Sequence, residues 1–259
     1  MYTLLLLRHG QSTANAAGEF TGWVDVPLTE AGERQARGAG ELLRSAGYCP
    51  DVVHTSVFSR AIRTADIMLG VLDRSWLPVR RSWRLGERQY GAWTGRRKAD
   101  VRAEVGDERF LLWRRSLFGT PPPLAADALG ALRADPRFAG LPTDTIPPVE
   151  SLADVVARVV PYWTDVLAAD LRAGRLPLVV AHGNSLRALV THWDRLSEDE
   201  VLNLNIPTGI PLRYDFDAGL RPVLRGVRYL DPNAAAQAVA AVAREGHEHS
   251  VAGGRPSTT

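Results

Sequence analysis

A three-layer α/β sandwich, with a mostly parallel central sheet covered by helices on both faces, is the fold class this sequence predicts. Short apolar runs at Leu4 to Leu7 and Pro177 to Ala181 stop abruptly at Arg8-His9-Gly10 and His182-Gly183, as buried parallel strands do where they feed loops. Helical patterns alternate with such runs along the chain, which is the signature of a sheet with helices packed on it. The 259 residues suffice for one large α/β domain.

Each element has its own signal. Thr29 is placed to cap a helix that begins at Glu30-Ala31 and runs to about Ser45, with Gly47 just past its end. Asp51-Val52-Val53-His54 reads as a second strand, and Ser56 stands at the entrance of a helix carrying Arg60 and Arg63. Leu152, Val155, Val156, Val159, Val160, Trp163, Val166 and Leu167 recur at helical spacing, predicting one amphipathic helix from Ser151 to Leu171. A further helix runs through Leu186, Leu189 and Val190. Strands are expected around Leu212 to Phe216 and Val223 to Tyr229, joined by a turn at Asp217-Ala218-Gly219. Residues 86–148 interrupt the alternation, and no apolar pattern strong enough for a core of their own is visible. They read as an insertion over the sheet's edge within a single domain of residues 1–245. An alanine-rich helix is expected from Ala234 to Ala243. Residues 246–259, with His247 and His249, have the composition of a disordered tail.

Composition narrows the function classes. A net charge of +2, with 45% hydrophobic and 23% charged residues, gives no molecule-wide field that would attract nucleic acid. The basic clusters Arg80-Arg81, Arg96-Arg97-Lys98 and Arg114-Arg115 read as solvated faces unless a motif claims them. Cys49 is the only cysteine, which rules out an internal disulfide and a multi-cysteine metal site and fits a cytoplasmic setting. The apolar N-terminus is too short for a membrane span and lacks the basic flank of a signal peptide.

The chemistry is concentrated at two strand ends that deliver the same dipeptide, His9-Gly10 and His182-Gly183. Ligands in parallel sheets sit beyond the carboxyl ends of the strands, so adjacent strands place the two imidazoles side by side. Two histidines accompanied by Arg8 and Arg60 suit a dianion, because guanidinium groups bind phosphate oxygens in bidentate fashion. The amides from Gly10 to Thr13 add a helix-start donor set. Positive surroundings favour a neutral His9, whose free ring nitrogen can attack phosphorus. His182, protonated once phosphate is bound, would stabilise charge on the equatorial oxygens. The rival reading, a metal site, lacks a third ligand and sets arginines against a cation.

These segments resemble a known family. Leu7-Arg8-His9-Gly10-Gln11-Ser12 is similar to the phosphohistidine signature of the histidine phosphatase superfamily. Phe20 to Leu28, Thr55 to Thr64, Trp113-Arg114-Arg115, Thr120-Pro121-Pro122, Ala181 to Leu189 and Leu204 to Gly209 resemble successive motifs of its cofactor-dependent phosphoglycerate mutase branch. The resemblance spans Leu4 to Val242 and implies a phosphoglycerate mutase-like fold with His9 as the phosphate carrier. It implies that Arg8, Arg60 and His182 form the phosphate pocket and that Glu87 is the general acid/base, with a carboxyl pressed against phosphate oxygens. Ser12, Asn15, Thr21, Gly22, Gly183 and Asn184 would line the phosphate end. Tyr90, Lys98, Arg114 and Arg115 would hold the substrate's carboxylate and second phosphate. The implied reaction is interconversion of 2- and 3-phosphoglycerate in glycolysis and gluconeogenesis. It would be primed by 2,3-bisphosphoglycerate without a metal, in a homo-oligomer (dimer or tetramer) with no nucleic-acid or membrane partner.

The chain departs from the family where members carry asparagine at position 86, histidine at 89, and leucine and glutamine at 93 and 94. Here stand Gly86, Gln89, Trp93 and Thr94, and Gln11 replaces the usual glutamate. Trp93 is expected to add bulk beside the substrate mouth, and the lost polar groups weaken hydrogen bonding near Glu87. A histidine phosphatase, or a mutase of another small phosphometabolite, uses the same histidine and acid. A non-catalytic phospholigand-binding protein would not need the full set.

Overall fold

The first apolar run forms the spine of a six-stranded sheet of order β3-β2-β4-β1-β5-β6. A computed structural model describes residues 1–244; the tail expected at 246–259, with His247 and His249, lies outside them. In chain order the first half contains β1 (Tyr2–Arg8), α1 (Thr13–Ala16), α2 (Glu30–Ser45), β2 (Val52–Thr55), α3 (Ser59–Val71) and β3 (Val79–Arg81). Next come α4 (Lys98–Val105), α5 (Asp107–Arg115) and α6 (Ala126–Arg133). The second half holds α7 (Leu152–Tyr162), α8 (Ala168–Arg172), β4 (Pro177–Ala181), α9 (Gly183–Asp194), α10 (Glu198–Asn203), β5 (Leu212–Phe216), β6 (Arg228–Tyr229) and α11 (Pro232–Arg244).

Strands β3, β2, β4 and β1 run parallel, and β5 pairs antiparallel to β1. Four consecutive leucines in β1 alternate between two cores: Leu4 and Leu6 face one helical layer, Leu5 and Leu7 the other. All four are fully buried. At about 25 cal/mol per Å² of apolar surface, each such side chain contributes about 2 kcal/mol relative to exposure. Charge at any of them would be excluded, which explains the uninterrupted run.

Several elements differ from the sequence reading for identifiable reasons. The helix expected from Ser151 to Leu171 begins as predicted, with Ser151 accepting from the Asp154 N–H in a capping box. It then widens into a π-helical turn over Trp163–Leu167 before resuming as α8. Pro161 has no N–H to offer the preceding turn, a common cause of such a defect. The strand expected over Val223 to Tyr229 shrinks to Arg228–Tyr229; Val223 keeps one bond, to the Asp215 carbonyl at 2.9 Å, but its side chain and that of Leu224 are exposed. Ser56 does not open α3. Phe58 takes the cap position, and the Ser56 hydroxyl turns inward instead. Residues 86–148 do contribute apolar clusters, one shared with Phe20 and one with Trp23 and Phe58. They pack on the loops beyond the carboxyl ends of β1 and β2, which the sequence pattern does not reveal because each cluster is completed by residues from elsewhere.

The loop carrying His9 is locked to α2 by two glycines in contact. A Cβ on Gly10 would lie 2.2 Å from the Gly32 carbonyl oxygen, and one on Gly32 would lie 2.1 Å from that of Gln11. No flexible side chain can yield there, since both obstacles are backbone. We expect Gly32→Ala to lower stability by about 1–3 kcal/mol and to shift the His9 loop. Denaturant unfolding and the histidine ring resonances together check this; wild-type values in both would show that the backbone contact can relax.

Candidate active site

Parallel pairing of Leu7 with Val180 and Arg8 with Ala181 brings the two strand ends level. His9 and His182 therefore meet, with ring centroids 4.8 Å apart and planes at 63°. His9 Nδ1 lies 2.7 Å from the Gly10 carbonyl oxygen. A carbonyl only accepts, so Nδ1 carries the proton and Nε2 keeps its lone pair. His182 Nε2 is within hydrogen-bond distance of Ser56 Oγ at 2.7 Å, and that oxygen accepts from the Phe58 N–H at 3.2 Å.

Arginine surrounds the pair. Arg60, 1% exposed, is held in place by the carbonyls of Val24 (3.0 Å) and Gly22 (3.1 Å) and lies over the Phe58 ring. Arg8 donates from Nη1 to the Ile206 carbonyl at 2.7 Å, while its buried Nε has no hydrogen-bond partner. Burial first, then the charges of Arg60 and Arg8, hold the His9 imidazole well below its ordinary value. His182 is lowered by burial, then by Arg60 and His9. Both rings are neutral at neutral pH.

A buried imidazole with a depressed folded-state pKa binds fewer protons than the unfolded chain, so stability is complete above about pH 6.5 and falls below it. His54 acts in the same direction: burial lowers it to about 4 although Asp170 lies 3.0 Å away. We expect the denaturant midpoint of the ligand-free protein to drop between pH 7.5 and 5.5. A constant or rising midpoint would contradict neutral burial of these rings.

Glu87 faces this group from the segment after β3. Its Oε1 accepts from the Arg88 N–H (2.7 Å), the Asn184 N–H (3.2 Å) and Asn184 Nδ2 (2.9 Å). Its Oε2 and the Arg8 guanidinium flank Gly183, where a Cβ would sit 3.5–3.7 Å from both. Trp23 Nε1 and Arg158 Nη2 both donate to the Glu87 carbonyl, at 2.6 and 2.9 Å. Arg158 is paired with Glu150 at 2.6 Å, and Glu150 also accepts from the Gln89 N–H at 2.8 Å. A buried ion pair therefore fixes the backbone on which Glu87 stands.

A cleft opens above Glu87 and Gly183. Of the residues expected in a site, Arg8, Asn15, Thr21, Glu87, Tyr90, Lys98, Arg114, Arg115, Gly183 and Asn184 line it. His9, His182 and Arg60 lie buried beside it, outside its lining. Ser12 and Gly22 do not line it either: Ser12 caps α1, and Gly22 presents its carbonyl to Arg60. Trp93 is not at the mouth. It is 1% exposed and stacks among Phe20, Phe110 and Trp113, where it fills a core. Gln89 Oε1 accepts from the Gly91 N–H and Thr94 Oγ1, both at 3.1 Å, so the altered residues supply their own hydrogen bonds. Gly86 has no room for a side chain, since a Cβ would lie 2.9 Å from the Trp83 carbonyl oxygen and 3.0 Å from the Phe58 ring. Gln11 Oε1 accepts from the Thr29 hydroxyl at 2.9 Å.

The sequence reading missed Glu19, Phe20, Arg187, Ile206 and Val242 of the lining, and the supporting Ser56, Arg158 and Glu150. Long-range bonds from arginine to carbonyl oxygens leave no periodic trace, although a buried arginine inside an apolar helix, as at 158 and 187, was a legible signal. Among the described residues no group of His, Cys, Asp or Glu converges as metal ligands would. No described helix is long and apolar enough to cross a membrane.

A family profile described as histidine phosphatase superfamily (branch 1) matches residues 4–134 and 125–225. The chain is 55% identical over 246 residues to a 2,3-bisphosphoglycerate-dependent phosphoglycerate mutase of Thermobifida fusca, covering 95% of this chain and 100% of that protein. It is 56% identical over 245 residues to one of Streptomyces griseus, covering 95% and 97%. Among solved structures it is similar to a mycobacterial glucosyl-3-phosphoglycerate phosphatase complexed with VO3, with a TM-score of 0.68 and 25% identity over 88% of this chain and 98% of that one. Two imidazoles at adjacent strand ends, and relatives of this closeness along nearly the whole length, lead to one assignment: the chain belongs to the histidine phosphatase superfamily, in its 2,3-bisphosphoglycerate-dependent phosphoglycerate mutase family.

Proposed function

We propose that this protein is an isomerase that interconverts 2- and 3-phosphoglycerate through a phosphohistidine on His9. The observation that carries the reading is the fixed tautomer of His9: Nδ1–H is held by Gly10, and Nε2 is free beside His182 and Arg8. The names of the close relatives support the same activity.

The residues fit a polyanionic primer. Arg8 Nε and His182 Nδ1 are buried polar atoms without hydrogen-bond partners, and Lys98, Arg114 and Arg115 line the cavity beyond them. These side chains would hold 2,3-bisphosphoglycerate, which supplies the phosphoryl group that charges His9. Arg8, Arg60 and His182 surround the three oxygens in transfer and stabilise their charge. Glu87 exchanges a proton through Oε2 with the hydroxyl that gains or loses the phosphoryl group. Lys98, Arg114 and Arg115 retain the other end of the molecule while it turns over, and Val242 of α11 closes one side of the cavity against water. The protein works without a metal, as a cytoplasmic homo-oligomer.

The likeness to a solved phosphatase favours one further reading, in which water instead of a second hydroxyl receives the phosphate from His9. A coupled assay of 3-phosphoglycerate conversion, with and without 2,3-bisphosphoglycerate, separates them. Isomerisation that requires the primer supports the mutase. Phosphate release without isomerisation would move the protein to the phosphatases.

A further inference from the structure

Arg187 stands one helical turn beyond Asn184 on α9 and is 3% exposed. A guanidinium has five N–H donors and no acceptor. Nη1 donates to Asn184 Oδ1 at 2.7 Å, and Nη2 donates to the carbonyls of Arg115 at 2.9 Å and Val201 at 2.8 Å. Burial lowers this group to about 10, so it remains a cation at neutral pH.

The direction of these bonds has consequences at Glu87. Because arginine can only donate, the end of the Asn184 amide that meets it is the oxygen. The NH₂ end then faces the other way, where it reaches Glu87 Oε1 at 2.9 Å and the Tyr90 hydroxyl at 2.7 Å. Oε1 already accepts from the Arg88 and Asn184 N–H groups. An oxygen accepting three N–H bonds has no lone pair left for a proton, whereas Oε2, beside Gly183 and Arg8, does.

We propose that Arg187 is a positioning residue that decides which oxygen of Glu87 handles the proton. By orienting the Asn184 amide it assigns proton exchange to Oε2. By holding the Arg115 carbonyl it ties the substrate clamp at the end of α5 to the same frame. The proposal rests on Glu87 being the acid/base.

The test compares two substrates in three variants of the full chain. Phosphoglycerate has an alkoxide leaving group that needs a proton; p-nitrophenyl phosphate has one that does not. In Arg187→Lys a single ammonium cannot reach all three acceptors, so the Asn184 amide is free to turn. We expect kcat for phosphoglycerate to fall about 10- to 100-fold, with KM raised less than about tenfold, and the p-nitrophenolate burst that accompanies phosphorylation of His9 by p-nitrophenyl phosphate to keep a rate within about threefold of wild type. Arg187→Gln, whose single NH₂ cannot meet all three acceptors either, gives the same selective loss should Arg187→Lys fail to fold. Equal loss on both substrates, or no loss on either, in the folded variants overturns the proposal. Glu87→Gln separates it from the underlying reading. Selective loss there without selective loss at 187 sinks only the role of Arg187. Non-selective loss at 87 removes Glu87 as the acid/base, and the proposal with it.

Discussion

Replacing His9 by alanine is expected to lower phosphoryl transfer by about 10⁴- to 10⁶-fold, the scale on which deleting a nucleophile acts. The loss is chemical and the fold survives. The side chain makes one hydrogen bond, to its neighbour's carbonyl, and its removal leaves Gly10 still anchored through the Thr64 hydroxyl at 3.0 Å. Eliminating a buried neutral imidazole also removes one source of acid destabilisation. The variant should therefore lose less stability than wild type on going from pH 7.5 to 5.5. Single-turnover kinetics with labelled primer measures the first effect and denaturant unfolding the second. Residual transfer within about tenfold of wild type would mean that another group carries the phosphate.

Glu87→Gln gives the second large effect, a fall of about 10²- to 10⁴-fold in isomerisation. Three N–H groups converge on Oε1, so the glutamine carbonyl must take that place. Its NH₂ then stands where Oε2 was, beside Arg8 and Gly183, able to donate but unable to exchange a proton. The loop keeps its shape because the Glu87 carbonyl is still held by Trp23 and Arg158. In single-turnover phosphorylation of His9 the loss should be confined to substrates whose leaving oxygen needs a proton, which a series of phosphate monoesters of falling leaving-group basicity would reveal. A uniform loss across that series would assign Glu87 to binding instead of proton transfer.

The parts of this account that were legible in the sequence are those written locally. Leu4 to Leu7 and Pro177 to Ala181 announce buried strands by continuous apolarity, and the dipeptides that follow them meet because the two strands pair in register. Thr29 and Ser151 mark helix starts through their own side chains. What stayed hidden depends on distant segments. Trp93 looks like bulk at a mouth until Phe20, Phe110 and Trp113 are seen to enclose it. Gln89 and Thr94 look like losses of polarity until their side chains are found bonded to each other. Arg158 and Arg187 hold backbone carbonyls 14 to 74 residues away, a role that no spacing rule encodes. The meeting of His9 and His182 was readable from two strand ends; the residues that support them were not.

The most direct test of the central claim is to trap the phosphate. The protein would be mixed with 2,3-bisphosphoglycerate labelled on its phosphates, quenched in base to preserve phosphohistidine, and digested with trypsin. Cleavage after Arg8 gives a peptide from His9 to Arg34 in which His9 is the only histidine. The account predicts acid-labile label on that peptide, appearing and passing to 3-phosphoglycerate at least as fast as the enzyme turns over. Label on any other peptide, or isomerisation that proceeds with His9 unlabelled, would contradict it.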